Sequence, residues 1–176
     1  MVVFINGSFG IGKTTVSRLL AAELPGSVIV NPEPLGVAFL HLAAIVTPRK
    51  DDFQDLAAWR WLGARTIRIA RSLRSTVIVP MAFTNLVYLE EFLSSVRDRG
   101  VPTLHFCLTA PLAVVIARLH ARQSLGPTPW QLRRAAECCA AHQAREFAEH
   151  VPTVDRTAHE VANEIATRIR NAAYPK

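Results

Sequence analysis

Lysine is nearly missing from this chain: three stand against seventeen arginines among 176 residues, and the formal net charge is +6. That balance suits nucleic acid, an acidic membrane surface or a polyphosphate ligand. No basic run interleaved with aromatics occurs, and neither zinc-finger nor RNA-binding spacing is found, which sets nucleic acid aside as the main partner. No window approaches the roughly 18 uncharged apolar residues of a membrane span. The charge-free Val2 to Ile11 segment is too short for a signal peptide and lacks its basic start and cleavage site. A cytoplasmic location is the expectation. Cys107, Cys138 and Cys139 are an odd number without metal-ligand spacing, and adjacent side chains of a helix diverge, so all three read as reduced packing residues. The six histidines show no H-E-x-x-H or other ligand spacing, and no internal repeat or low-complexity tract is visible. Half the residues are hydrophobic, which excludes disorder, and 176 residues suit one core, so a single domain over 1–176 is expected.

What is present is a phosphate-cradling loop. Gly7-Ser8-Phe9-Gly10-Ile11-Gly12-Lys13-Thr14 fits G-x-x-x-x-G-K-[ST] at every required position, with Thr15 continuing into the next element. Glycines let the backbone turn with its N–H groups inward, so loop and helix N-terminus together attract phosphate oxygens. Lys13 is expected to reach the β- and γ-phosphates of ATP, and Thr14 to offer a hydroxyl to Mg²⁺. The flanks agree with the motif. Val2-Val3-Phe4-Ile5 is a short strand pattern before the loop, and Val16, Leu19, Leu20 and Leu24 repeat at helical spacing until Pro25-Gly26.

Further along, Val28-Ile29-Val30 is a short strand leading into Asn31-Pro32-Glu33-Pro34. Strand carboxyl ends face the ligand crevice of parallel α/β sheets, so Glu33 is either a base or magnesium-water ligand for phosphoryl transfer, or a helix-start glutamate that favours the macrodipole. Leu35 to Ile45 is dense enough in apolar residues for a helix, and Thr47 to Asp52 breaks it with charge. Asp55 or the Asp51-Asp52 pair then starts a helix whose stripe is Trp59, Leu62, Thr66, Ile69 and Leu73, with Arg60, Arg65, Arg68, Arg71 and Arg74 mostly on a solvated face, from which one or two could reach an anionic substrate or the transferring phosphoryl group. Trp59 reads as core rather than as a stacking platform.

Thr76 to Val79 is a central strand, yet Pro80-Met81-Ala82-Phe83 after it lacks the magnesium-organising Asp often found there. Either Glu33, Asp51 or Asp52 supplies that function, or the metal is held weakly. A helix marked by Leu86, Leu89, Leu93 and Val96 precedes a strand over Thr103 to Leu108, and Thr109 is expected to cap a helix with Leu112, Val115, Ile116 and Leu119 inward. Arg118 and Arg122 share one face of it and lead into a proline-bounded stretch to Pro129, which suits a lid over phosphates, the alternative being arginines at a helix C-terminus that answer its dipole. Thr128-Pro129-Trp130-Gln131 is a capping box expected to open a long helix to about Glu149, carrying His142 and Arg133 or Arg134 with no partner evident. Val151 to Val154 is the last strand, and Thr157-Ala158-His159-Glu160 a second capping box before Val161, Ile165 and Ile169.

Five strands separated by helices imply a three-layer α/β/α P-loop NTPase fold with a five-stranded, mainly parallel sheet, laid out like small nucleoside and shikimate kinases. The acceptor region is expected near 33–74 and the lid near 118–130. No N-K-x-D or L-S-G-G-Q signature is present, and no room is left for larger motor and remodelling modules.

More closely, the chain resembles the tunicamycin-resistance (TmrB-like) family of ATP-binding proteins. The resemblance rests on Ile5 to Thr14, Pro32-Glu33 with Gly36, Asp51-Asp52-Phe53-Gln54 with Trp59-Arg60, Ile78-Val79-Pro80-Met81, and Arg118-Leu119 with Arg122. It implies an ATP- and Mg²⁺-dependent protein that protects a cell from a nucleoside-type antibiotic, by phosphorylating or by sequestering it, with weak membrane-surface association as a further implied contact. Site residues carried over are Lys13, Glu33, Arg118 and Arg122 for catalysis, and Glu33, Asp52, Phe53, Gln54, Trp59 and Arg60 for the acceptor. A housekeeping metabolite kinase is the remaining alternative. Oligomeric state is not indicated.

Overall fold

β1, Val2–Gly7, is an apolar run ending in Asn-Gly, and all six of its residues are buried. A strand apolar on both faces must be covered on both, which places it inside a parallel sheet. The computed structural model describes residues 1–34, 36, 38, 40, 52–97, 100–122, 125–147 and 149–173. In it β1 pairs with β3 (Thr76–Met81) on one side and β4 (Thr103–Thr109) on the other; β2 (Ser27–Ile29) flanks β3 and β5 (Glu149–Pro152) flanks β4. Every neighbouring pair is parallel, so each connection must cross a face of the sheet. Helices α1 (Lys13–Glu23), α2 (Ala57–Leu73), α3 (Leu86–Arg97), α4 (Leu112–Arg122), α5 (Pro129–Ala141) and α6 (Ala158–Ala173) cover it.

The two-residue alternation of β1 builds the layers. Val3 and Ile5 pack with Val16 and Leu20 of α1, Val115 of α4 and Ile165 of α6. Val2 and Phe4 point the other way, into a core with Trp59 and Ile67 of α2 and Phe92 of α3. The result is the three-layer α/β/α P-loop fold. The three cysteines are free and buried, and burial pushes Cys107 up to about 12 and Cys138 up to about 11. Among the described residues, no helix is long and apolar enough to cross a membrane.

β3 runs past the expected Val79 through Pro80 to Met81. Alternate residues of a strand send their backbone groups to the same side, and Val30 N–H already meets the Ile78 carbonyl at 2.9 Å where β2 ends. Pro80, next on that side, therefore lacks an N–H only where no partner strand continues.

Five sequence expectations are corrected. The stripe on α2 is not Leu62, Thr66, Ile69 and Leu73 below Trp59: Ile69 and Leu73 are 55% and 74% exposed, and the inner face is Trp59, Arg60, Gly63, Ala64 and Ile67. Aromatic packing sets that rotation. Trp59 sits 4.7 Å from Phe53 and 5.9 Å from Phe92 between ring centroids, and a Cβ on Gly63 would stand 2.9 Å from the Phe92 ring, so small residues bring the helix close. Arg60 is buried rather than solvated. α5 stops at Ala141, because His142 turns inward, donates Nε2–H to the Phe83 carbonyl at 2.6 Å and packs on Phe147; the chain then enters β5 at Glu149 rather than Val151. Thr109 belongs to β4 and caps nothing, since α4 starts at Leu112 with the Pro111 carbonyl accepting from Val114 and Val115.

Both capping boxes form as expected, at Thr128 with Gln131 and at Thr157 with Glu160. Most of the 35–45 helix, the 47–51 loop with Asp51, and Gln123-Ser124 lie outside the described residues.

Candidate nucleotide and phosphoryl-transfer site

The loop after β1 turns on glycines at positive φ, with Gly10 at 75° and Gly12 at 107°. Gly12 is the N-cap of α1; no side chain caps that helix, and no acidic residue stands in its first turn. A Cβ on Gly12 would meet nothing within 4 Å, so glycine is required there for its backbone angle, and the loop is open at the helix N-terminus. Uncapped N–H groups and the positive end of the macrodipole thus face open space, which is what an anion requires. Lys13 folds back over the loop and donates to the Ser8 carbonyl at 3.0 Å. Burial lowers its pKa, with Glu33 acting in the opposite direction.

A cavity of about 200 Å³ opens at this point, and Lys13, Thr14, Asn31, Glu33, Pro80 and Arg122 line it. Residues far apart in sequence are brought together here by the shared carboxyl end of β1, β2 and β3. Asn31 accepts the Glu33 N–H at 3.0 Å, which fixes the start of the turn. Burial raises the Glu33 pKa, Lys13 opposes this, and Asp52 adds to it. The Thr14 hydroxyl and the Glu33 carboxylate are hard oxygen donors on one cavity, so this donor set fits magnesium.

Arg118 stands elsewhere. Its guanidinium donates to Thr153 twice, to the hydroxyl at 2.9 Å and the carbonyl at 2.8 Å. It lines an adjoining cavity of about 240 Å³ with Gly10, Gly12, Thr15 and Arg156. Of the two arginines expected to act together, only Arg122 shares the cavity of Lys13 and Glu33. Their four-residue spacing gave one helix face, but the P-loop divides the space that face looks onto.

The residues expected on the acceptor side form a braced turn. Asp52 accepts the Gln54 N–H at 2.9 Å and so caps the 3₁₀ turn Phe53–Asp55. Gln54 is buried and donates to the Ala82 carbonyl at 3.0 Å; Arg60 donates to the Gln54 carbonyl at 2.6 Å, pairs with Glu91 at 2.9 Å and lies over the Tyr88 ring. Trp59 is fully buried, with its indole N–H on the Pro32 carbonyl at 3.0 Å. Trp59, Arg60 and Gln54 therefore hold the segments that carry Glu33 and Asp52 rather than presenting open surface.

Two participants, Arg134 and Asn6, were given no role from sequence. Arg134 donates to Asp52 at 2.7 Å, and its neighbour Ala135 accepts from Ser8 of the P-loop at 3.4 Å, so α5 touches both sides of the site. Asn6, buried at the end of β1, accepts from Phe83 N–H at 3.0 Å and fixes the turn after β3. Nothing local separates Arg134 from Arg133, whereas Asn6 carried a signal: a polar residue closing an otherwise apolar central strand.

The chain matches the family model described as AAA domain over residues 2–150. No curated protein matches it. Among solved structures it is similar to the tunicamycin resistance protein of Deinococcus radiodurans, with TM-score 0.75 and 30% identity over 96% of this chain and 94% of that one. At lower identity the fold is shared with a gluconokinase from Sinorhizobium meliloti 1021 (TM-score 0.62, 17% identity, 98% and 97% covered). It is shared likewise with shikimate kinase from Acinetobacter baumannii (TM-score 0.63, 15% identity, 99% and 95% covered). A complete P-loop on a kinase-like fold is a nucleotide-binding arrangement. Within the AAA-domain proteins, the chain belongs to the tunicamycin-resistance family of small P-loop proteins with a kinase-like fold.

Proposed function

We propose that this protein is an ATP- and Mg²⁺-dependent phosphotransferase acting on a hydroxyl group of a small molecule, as an antibiotic-resistance protein of the tunicamycin-resistance type. The observation that carries the reading is the single cavity shared by Lys13, Thr14, Glu33 and Arg122. Bound ATP would supply the phosphoryl group, and Thr14 and Glu33 would hold magnesium, which would neutralise charge on the phosphates. The acceptor oxygen bonds to the γ-phosphorus as the bond from that phosphorus to the β,γ-bridging oxygen breaks. The hydroxyl proton passes to a Glu33 carboxylate oxygen, and Lys13, Arg122 and the N-terminus of α1 hold the charge that develops. A carboxylate whose pKa burial has raised is a stronger base than one in water, which suits this role.

In this reading residues 1–176 act as one domain located in the cytoplasm, the acceptor enters near 33–74, and the 118–130 segment closes over the phosphates. Arg118 and Arg156 flank the nucleotide on the other side of the loop. The absence of an Asp in Met81-Ala82-Phe83 supports a second reading, in which ATP closes the protein around a toxic ligand without turnover. Mass spectrometry of tunicamycin and a panel of nucleoside and sugar-containing antibiotics, after incubation with Mg-ATP, separates the two. A phosphoryl-sized gain that Lys13→Ala abolishes supports transfer; ligand retained unmodified, with resistance scaling with protein amount, supports sequestration.

A further inference from the structure

Beside the P-loop lies a larger cavity that the proposed transfer does not use. Its volume is about 440 Å³, a size that suits small organic ligands, and its walls are the carboxyl ends of β4 and β5 and the end of α5. Ser8 and Ile11 of the P-loop belong to it, whereas Lys13, Thr14, Glu33 and Arg122 do not. Ile11 also lines the Arg118 cavity, so one side chain borders both spaces.

Charge distinguishes this cavity from the other two. The transfer cavity holds Lys13, Arg122 and Glu33, and its neighbour holds Arg118 and Arg156. Among the described residues, no Asp, Glu, Lys or Arg lines the 440 Å³ cavity, in a chain whose net charge is +6. An ion entering would lose hydration with no opposite charge to replace it. What the wall offers is an apolar surface, with Leu108, Pro111 and Val154, interrupted by polar side chains: Thr109, Gln143, His142 and His150. Burial keeps the His142 ring neutral, with its pKa lowered to about 4. A carbonyl can only accept, so the bond to Phe83 places the proton on Nε2 and leaves Nδ1 as an acceptor. That Nδ1 has no hydrogen-bond partner, and neither has Nε2 of His150. Buried polar atoms left without a partner are few in folded proteins, and these two belong to side chains that line the cavity while the atoms themselves are closed to solvent.

We propose that this cavity binds a small uncharged molecule with an aromatic or apolar body and one hydrogen-bonding edge that carries an N–H or O–H donor, and that its occupancy alters the P-loop through Ser8 and Ile11. The inference is independent of whether the protein transfers phosphate. Ser8 is the coupling point, because its hydroxyl also bonds α5 at the Ala135 carbonyl.

The test uses benzamide and benzoate, which share a shape and differ in charge, each titrated into the intact protein to millimolar concentration while histidine side-chain NMR signals are followed. Benzamide is expected to shift the His142 and His150 signals saturably and leave His120 and His159 unmoved, with benzoate at least tenfold weaker. Val154→Trp, or Gln143→Trp at the exposed rim should the first not fold, is expected to abolish the shifts by filling the space. Calorimetry with ATP is expected to show at least a twofold change in affinity at saturating benzamide. No saturable shift, equal binding of benzoate, or binding that survives the filling variant would overturn the site. An ATP affinity unchanged by bound benzamide would overturn the coupling.

Discussion

Arg134 of α5 donates to Asp52 at 2.7 Å across 82 positions of sequence, and the other oxygen of the same carboxylate caps the turn holding Gln54. Burial nevertheless keeps the Asp52 pKa above its ordinary range, so the pair offsets a desolvation cost and its main product is position. Arg134→Met leaves a mostly buried carboxylate alone and is expected to cost on the order of 1–2 kcal/mol. Adding Asp52→Asn to it should recover much of that loss. Urea unfolding of the two single variants and the double variant measures the coupling, and strictly additive losses would show that the residues do not cooperate.

Lys13→Ala separates chemistry from folding. Loss of one preorganised charge at the transferring group typically costs a hundredfold or more in turnover, on the order of 3 kcal/mol. Because burial penalises the Lys13 ammonium, the same variant should keep or raise the melting temperature. Turnover and thermal unfolding measured on one preparation test both halves.

Glu33 gives a signed pH dependence. Its pKa is raised by burial above the ordinary carboxylate range in the metal-free protein, and Glu33→Gln should remove activity at every pH. A raised carboxylate pKa means that the native state binds more protons than the unfolded chain, so this group loses stability as pH rises through that window. Glu33→Gln is accordingly expected to melt higher than the parent at neutral pH.

Two buried imidazoles act in the opposite direction. Burial lowers His105 and His142 to about 4 from 6.5, so each favours the folded state fully above about pH 6.5 and loses that contribution as pH falls toward 4. The contribution is on the order of 3 kcal/mol apiece at 1.4 kcal/mol per pH unit. Urea unfolding between pH 4 and 7 should show a slope that His105→Gln reduces by about half.

Gly36 marks where the Phe53 turn meets the core. A Cβ there would lie 2.5 Å from the Phe53 ring and 2.9 Å from the Trp59 indole nitrogen. Gly36→Ala should cost about 1–3 kcal/mol through overpacking and alter Trp59 fluorescence. An unchanged spectrum would mean that the turn yields without disturbing Trp59.

Legibility followed the range of the interaction. The P-loop was readable because its glycines, lysine and threonine act within one short stretch, and both capping boxes because Thr128 and Thr157 reach only three residues ahead. Glu33 could be located from its place after β2, as its role depends on a strand end. Arg134, the rotation of α2 and the early stop of α5 were not readable, because each is decided by a group distant in sequence: Asp52, the Phe53–Phe92 aromatic cluster and the Phe83 carbonyl. Arg118 and Arg122 looked equivalent because helix spacing describes a face and says nothing of the loop dividing the space in front of it.

Pro80 forms part of the boundary of the Glu33 cavity. A proline there presents a carbonyl and a hydrocarbon ring and no amide proton, so this part of the lining is blind to anions. In the transfer proposed above, phosphate oxygens would find amide donors along the P-loop and charge at Lys13 and Arg122, while the Pro80 wall would give them nothing to hold. The asymmetry would then orient a phosphoryl group before any acceptor arrives, because a reversed pose exchanges donors for hydrocarbon.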